Sequence, residues 1–263
     1  MSVHHGLLAA VFLLFSHSLL AGEWSLSIQP VLSKKHIEQA YQPLADYLSK
    51  QTGETIRIRA HRNFIAYWAS LQKMDGFDFV LDAAHFTDYR LQHMGYHLLA
   101  RLPDTVTFSL VTRDDKLIFE VDELIARRVA SLSPPSVGAL RLLQLFPDPM
   151  RQPRMVYVNS SEDAVRKVID GKADAAMIPN ALVPRFDNLN TVLTTEPLPH
   201  MGFSASPDVP QAVRSRISLA LRRASLTPAG RKMLQQLRFP AFIPASPQDY
   251  KGYASLLDIM PKF

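Results

Sequence analysis

Between Leu26 and Met94 three strand-like runs alternate with three helix-like ones, and few architectures accept that order. Residues 26–30 alternate apolar and polar side chains, as a half-buried strand does. Residues 35–51 bring Ile37, Ala40, Tyr41, Leu44, Ala45 and Leu48 to one helical face, with Ser33 as N-cap and Gly53 as the stop. Residues 55–60 return to period two, Asn63 caps a helix running to Gln72, and residues 77–81 form a buried strand. A helix over residues 85–94 then ends at Gly95. This βαβαβα succession requires a parallel sheet with helical crossovers.

After Tyr96 the rhythm breaks and then resumes. Two strand-like runs, 96–102 and 106–112, flank Pro103-Asp104, and a charged turn follows at residues 113–116. A second series has strands at 128–132, 155–158, 173–178 and 189–193. Its helices lie at 136–146, carrying Leu140, Leu143 and Leu145, and at 161–169, between Ser160 and Gly171. Beyond Pro197 and Pro199 come a strand at 200–204 and helices at 209–224, 228–237 and 247–260. Two α/β series with a late return predict an α/β protein of two lobes. The expected division is residues 22–106 plus 202–263 for the first lobe and 107–201 for the second, with the chain crossing near 106–113 and 195–202.

Residues 6–15 are almost wholly apolar, too short a run to span a bilayer but suited to the core of a secretion signal. The expectation is a signal peptide over residues 1–21, cleaved after Ala21, and a periplasmic mature chain. With no cysteine in the sequence there is no lipid attachment site, disulfide framework or cysteine nucleophile. The 29 Lys and Arg against 24 Asp and Glu leave a net charge of +5, spread along the chain. That balance mildly favours anionic partners and provides no basic stripe for nucleic acid.

Enzyme signatures are missing: there is no G-x-S-x-G elbow, H-E-x-x-H helix or Gly-rich phosphate loop. His93 and His97 have metal-ligand spacing, but Gly95 between them ends the helix, and Asp75 and Asp78 read as a solvated turn. No catalytic group, metal or cofactor is expected. Open α/β sheets bind ligands beyond the carboxyl ends of their strands. Four such loops hold polar or small residues: Asp82–Phe86, Ser131–Gly138, Ile178-Pro179-Asn180 and Glu196–His200. The second opens a helix, where hydroxyls and free backbone N–H groups can receive an anion without a base or metal.

Several of these segments are similar to those of the periplasmic phosphate/phosphite/phosphonate (PhnD-like) ABC-transporter substrate-binding proteins. Tyr41-Gln-Pro-Leu-Ala-Asp-Tyr-Leu48 resembles the family's Y-x-P-L-A-x-Y-L helix. Phe77-Asp-Phe-Val80 resembles its strand before a ligand-contacting turn, and Gly171-Lys-Ala-Asp-Ala-Ala176 its G-x-A-D-A strand. Val129–Gly138 resembles its strand-to-helix loop, though Ser133-Pro-Pro-Ser-Val-Gly138 is one residue shorter than the family's D-P-x-S-T-S-G run and lacks its Thr. The chain reads as a divergent member.

The resemblance implies a type II, Venus-flytrap fold with two parallel or mixed sheets and a two-crossing hinge. It implies a monomer that captures a small anionic ligand and hands it to an ABC permease. The other reading is a ligand-sensing module that signals to a membrane receptor, with a ligand that is not an oxyanion. The expected lining residues are His85, Phe86, Ser133, Ser136, Gly138, Asn180 and His200. Asp82 is expected to hold His85 protonated against the anion.

Overall fold

The computed structural model describes residues 22–73, 75 and 77–260. The expected signal peptide lies outside the described residues. The first series folds as β1 (Glu23–Ile28), α1 (Lys34–Thr52), β2 (Thr55–Ala60), α2 (Phe64–Gln72), β3 (Phe79–Asp82) and α3 (Ala84–His93). Its punctuation is chemical. Ser33 Oγ and Asn63 Oδ1 accept the backbone N–H groups of His36 and Ala66, and Gly53 stops α1 in the left-handed conformation at φ 75°.

The middle of the chain is β4 (His97–Arg101), β5 (Thr105–Val106), β6 (Phe108–Arg113), β7 (Arg128–Leu132), α4 (Val137–Leu145), β8 (Arg154–Val158), α5 (Ser161–Ile169) and β9 (Ala175–Pro179). The remainder is β10 (Leu189–Thr194), β11 (Leu198–Pro199), β12 (Gly202–Ala205), α6 (Gln211–Arg223) and α7 (Pro228–Leu237). The strand expected over 106–112 is two strands, because β5 and β6 belong to different sheets. The last expected helix is broken. Short 3-10 turns, Pro247–Asp249 and Tyr253–Ile259, flank Gly252, whose φ of 97° lies outside any right-handed helix.

Two five-stranded sheets result, ordered β2-β1-β3-β12-β4 and β10-β6-β9-β7-β8. Both are mixed. β1 runs parallel to β2 and β3, and β7 runs parallel to β8 and β9. The returning β12 lies antiparallel between β3 and β4, and β6 lies antiparallel between β9 and β10. A short ladder, Leu198 opposite Val106 and Pro199 opposite Thr105, joins the two segments that connect the sheets.

The central strands are buried on both faces, and alternation decides which face each side chain joins. Leu26, Ile28, Phe79, Leu81 and Phe203 pack under Leu44, Leu48 and Ile217 of the helices on the first sheet. Val111, Ala130, Ala176 and Ile178 pack under Val165 and Val168 on the second. Fully burying one such side chain contributes about 1.5–3 kcal/mol. A third cluster bridges the halves, where Leu140 of α4 packs with Phe64, Tyr67, Phe86, Leu256 and Leu257.

Candidate functional site

A cleft of about 550 Å³ opens where the carboxyl ends of β1, β3, β7 and β9 converge. Gln29 follows β1, Ala83 follows β3, Ser131 and Leu132 end β7, and Asn180 follows β9; all five border the cleft. The loop after β7 passes directly into α4, so Ser136, Val137 and Gly138 stand at a helix N-terminus facing the same space. Thr105, Val106, Leu198, Pro199 and His200 of the connecting segments complete one wall.

Four expected lining residues therefore meet: Ser136, Gly138, Asn180 and His200. Ser136 is the N-cap of α4, its hydroxyl accepting from Ala139 N at 3.4 Å and donating to Leu132 O at 3.3 Å. The N–H groups of Val137 and Gly138, in the first turn, have no intrahelical acceptor. Asn180 Oδ1 accepts from Ser109 Oγ at 2.8 Å, which leaves its amide N–H₂ as the group able to donate into the cleft. His200 Nδ1 accepts from Met201 N at 2.8 Å, placing the ring proton on Nε2. Burial lowers the His200 pKa, with Asp104 pulling weakly the other way, so the ring is a neutral donor at neutral pH.

Three expected residues do not line this space. His85 and Phe86 are fully buried, because α3 starts at Ala84 and turns both into the interior. Phe86 belongs to the aromatic cluster of Phe64, Tyr67 and Trp68. His85 donates from Nε2 to Pro135 O at 2.8 Å, and burial depresses its pKa to about 4. The expected Asp82–His85 pair is corrected accordingly. Asp82 is taken by Arg90, whose two terminal nitrogens reach its oxygens at 2.5 and 2.6 Å, and by the Tyr67 and Thr87 hydroxyls. The arginine supplies the counter-charge, and burial outweighs the pull of Pro135 O and Asp82 toward the protonated imidazole. Ser133 sits apart, in a small depression with Arg62, Asn63 and Asn159. Asp75 and Asp78 are not a free turn either: they bind Arg59 at 3.1 Å and Ser25 Oγ at 2.7 Å.

Ser131 takes the place expected of Ser133. The end of the strand explains the exchange: Ser131 lies within β7 at the cleft end of the sheet, whereas Ser133 lies past Leu132 in the following turn. Ser131 Oγ is buried and has no hydrogen-bond partner among the described residues. Gln29 also borders the cleft, its Oε1 accepting from Ala83 N at 3.1 Å and its Nε2 reaching Met201 Sδ at 3.2 Å. The carboxyl end of a central parallel strand was the signal available in the sequence for Gln29.

Two mixed sheets, joined by paired connecting segments over a cleft that both sheets line, define a two-lobed type II periplasmic binding protein. The sequence model described as ABC transporter, phosphonate, periplasmic substrate-binding protein matches residues 26–250, and the chain belongs to that family. Among solved structures it is similar to PhnD1 of Prochlorococcus marinus in complex with methylphosphonate, with TM-score 0.77 and 15% identity over 90% of this chain and 97% of that one. A binding component of an ABC phosphonate transporter from Pseudomonas aeruginosa gives 0.76 and 12% over 90% and 85%. A Xanthomonas citri protein bound to ATP gives 0.73 and 17% over 90% and 96%. At these identities the likeness is one of fold. No curated protein matches the sequence. Among the described residues no helix is long and apolar enough to cross a membrane.

Proposed function

We propose that this periplasmic substrate-binding protein captures a small oxyanion, of the phosphate, phosphite or phosphonate kind, and delivers it to an ABC importer. The observation that carries the reading is that the N-terminus of α4 borders the same cleft as Ser131, whose hydroxyl is buried and unpartnered among the described residues. An oxyanion placed there receives the Val137 and Gly138 N–H groups, the Ser131 hydroxyl, the Ser136 hydroxyl once it turns from Leu132 O, and the positive end of the helix dipole. Asn180 and His200 donate from the other walls of the cleft.

The lobes in this reading are residues 22–106 with 202–263 and residues 107–201, a division supported by which strands share a sheet. The hinge is the pair of segments joined by β5 and β11. Donors from both lobes meet the ligand together only when the lobes are closed, so binding shifts the population toward the closed form. Export by the N-terminal signal and action as a monomer belong to the same proposal.

The test is a thermal-shift screen of the mature chain against phosphate, phosphite, sulfate and phosphonates from methyl- to phenylphosphonate. A ligand at 100 times its Kd adds about 2.7 kcal/mol to the folded state. Ser136→Ala should weaken the best ligand by about 1–3 kcal/mol, since the hydroxyl would bond a charged group. A screen with no oxyanion shifting the transition refutes the reading and favours the receptor-coupled sensor with another ligand.

A further inference from the structure

We infer that the ligand is an organic oxyanion whose acid group carries a sizeable apolar substituent, rather than an inorganic ion or a methyl-sized compound. This rests on the oxyanion reading and extends it to the rest of the molecule bound.

The first observation is size. An inorganic oxyanion displaces about three waters, on the order of 90 Å³ at roughly 30 Å³ each. The cleft offers about 550 Å³, within the range of pockets that enclose whole organic ligands. The second is the wall. Besides the polar groups already named and the hydroxyls of Thr105, Thr107 and Ser161, the cleft is bounded by Phe64, Val106, Phe108, Met177, Leu198 and Met201. These apolar side chains have no hydrogen bonds to offer a hydrated anion, and apolar surface facing the cleft is stabilised only by apolar contact.

The third observation is adjacency. A Cβ built on Gly138 would lie 3.3 Å from Met177 Cγ and 3.4 Å from Phe108 Cδ1. The apolar wall therefore begins in van der Waals contact with the helix terminus that receives the oxyanion. The substituent must be attached directly to the acid group, with no polar spacer between. The fourth is charge. Among the described residues no Lys or Arg borders the cleft, and the one charged side chain that does is Asp104, exposed at its edge. Neutral donors and a helix dipole suit a single negative charge spread over oxygens better than a dianion.

Calorimetric titration of the mature chain with methyl-, propyl-, butyl- and phenylphosphonate tests the substituent at constant head group. Methanesulfonate and benzenesulfonate, permanent monoanions, repeat the comparison at fixed charge. Each buried methylene should tighten binding about threefold to fourfold, so butyl should exceed methyl by about 30- to 60-fold. Gly138→Ala sets a methyl against Phe108 and Met177, which must give by a few tenths of an ångström; it should lower the phenyl-to-methyl affinity ratio at least tenfold, and the melting temperature of the ligand-free variant reports the cost of that shift. A flat series in which methylphosphonate binds as well as the rest overturns this inference and leaves the oxyanion reading standing. A rising series whose ratio Gly138→Ala does not alter overturns the assigned wall. Failure of every phosphonate and sulfonate to bind overturns the oxyanion reading itself, and this inference with it.

Discussion

Replacing Ser131 with Ala should raise the stability of the ligand-free protein and lower its affinity for an oxyanion, two effects of opposite sign from one methyl-sized change. The Ser131 hydroxyl is buried at the end of β7 with no partner among the described residues. An unsatisfied buried hydroxyl costs about 1–3 kcal/mol, and Ala removes it without opening a cavity. Taking the lower end, a gain of about 1 kcal/mol corresponds to roughly 2–4 °C in Tm for a chain of this size. In the proposed complex the same hydroxyl donates to a charged oxygen, a bond contributing about 1.5–3 kcal/mol, so the variant should bind about 10- to 150-fold more weakly. Scanning calorimetry without ligand and titration calorimetry with the best oxyanion of the screen give the two numbers. A variant less stable than the parent would mean that the hydroxyl is already bonded. An unchanged affinity would place the anion elsewhere. Either result refutes the reasoning.

The Asp82–Arg90 pair, with both side chains fully buried, makes a second prediction. Arg90→Met strands a buried carboxylate and should cost about 3–5 kcal/mol in urea unfolding, while adding Asp82→Asn should recover a large part of the loss; a double variant as unstable as the sum of the singles would contradict this. The third concerns acid. His85 is held at about 4 in the fold by burial, with Pro135 O and Asp82 raising it and Arg90 lowering it, against an ordinary value of 6.5. The unfolded chain therefore binds the extra proton first. The contribution is complete above pH 6.5 and is lost as pH falls toward 4, a decline of about 3 kcal/mol. His85→Gln, which can still donate to Pro135 O, should flatten that part of the stability profile, and an unchanged slope would exclude the imidazole as its source.

What sequence reasoning could read and what it could not divide along a physical line. Strand and helix identity depends on local periodicity and on caps within a few residues. Ser33, Asn63, Ser160 and the stop at Gly53 could accordingly be placed from neighbours alone. The α4 N-terminus was legible for the same reason, since a serine and a glycine at the mouth of a helix act through the backbone beside them. The choice between Ser131 and Ser133, and between a cleft and a core position for His85 and Phe86, depends on the facing of one or two residues. Packing partners 50 residues away decide that facing, and Pro135 O, which binds His85, is one of them. The role of Asp82 was likewise set at a distance. Only the assembled sheet shows that Arg90 and Tyr67 occupy both of its oxygens before an imidazole could. Local order thus carried the α/β rhythm and the helix terminus, which short-range hydrogen bonds enforce. Which polar groups were left free to meet a ligand was decided only when distant segments had used up the rest.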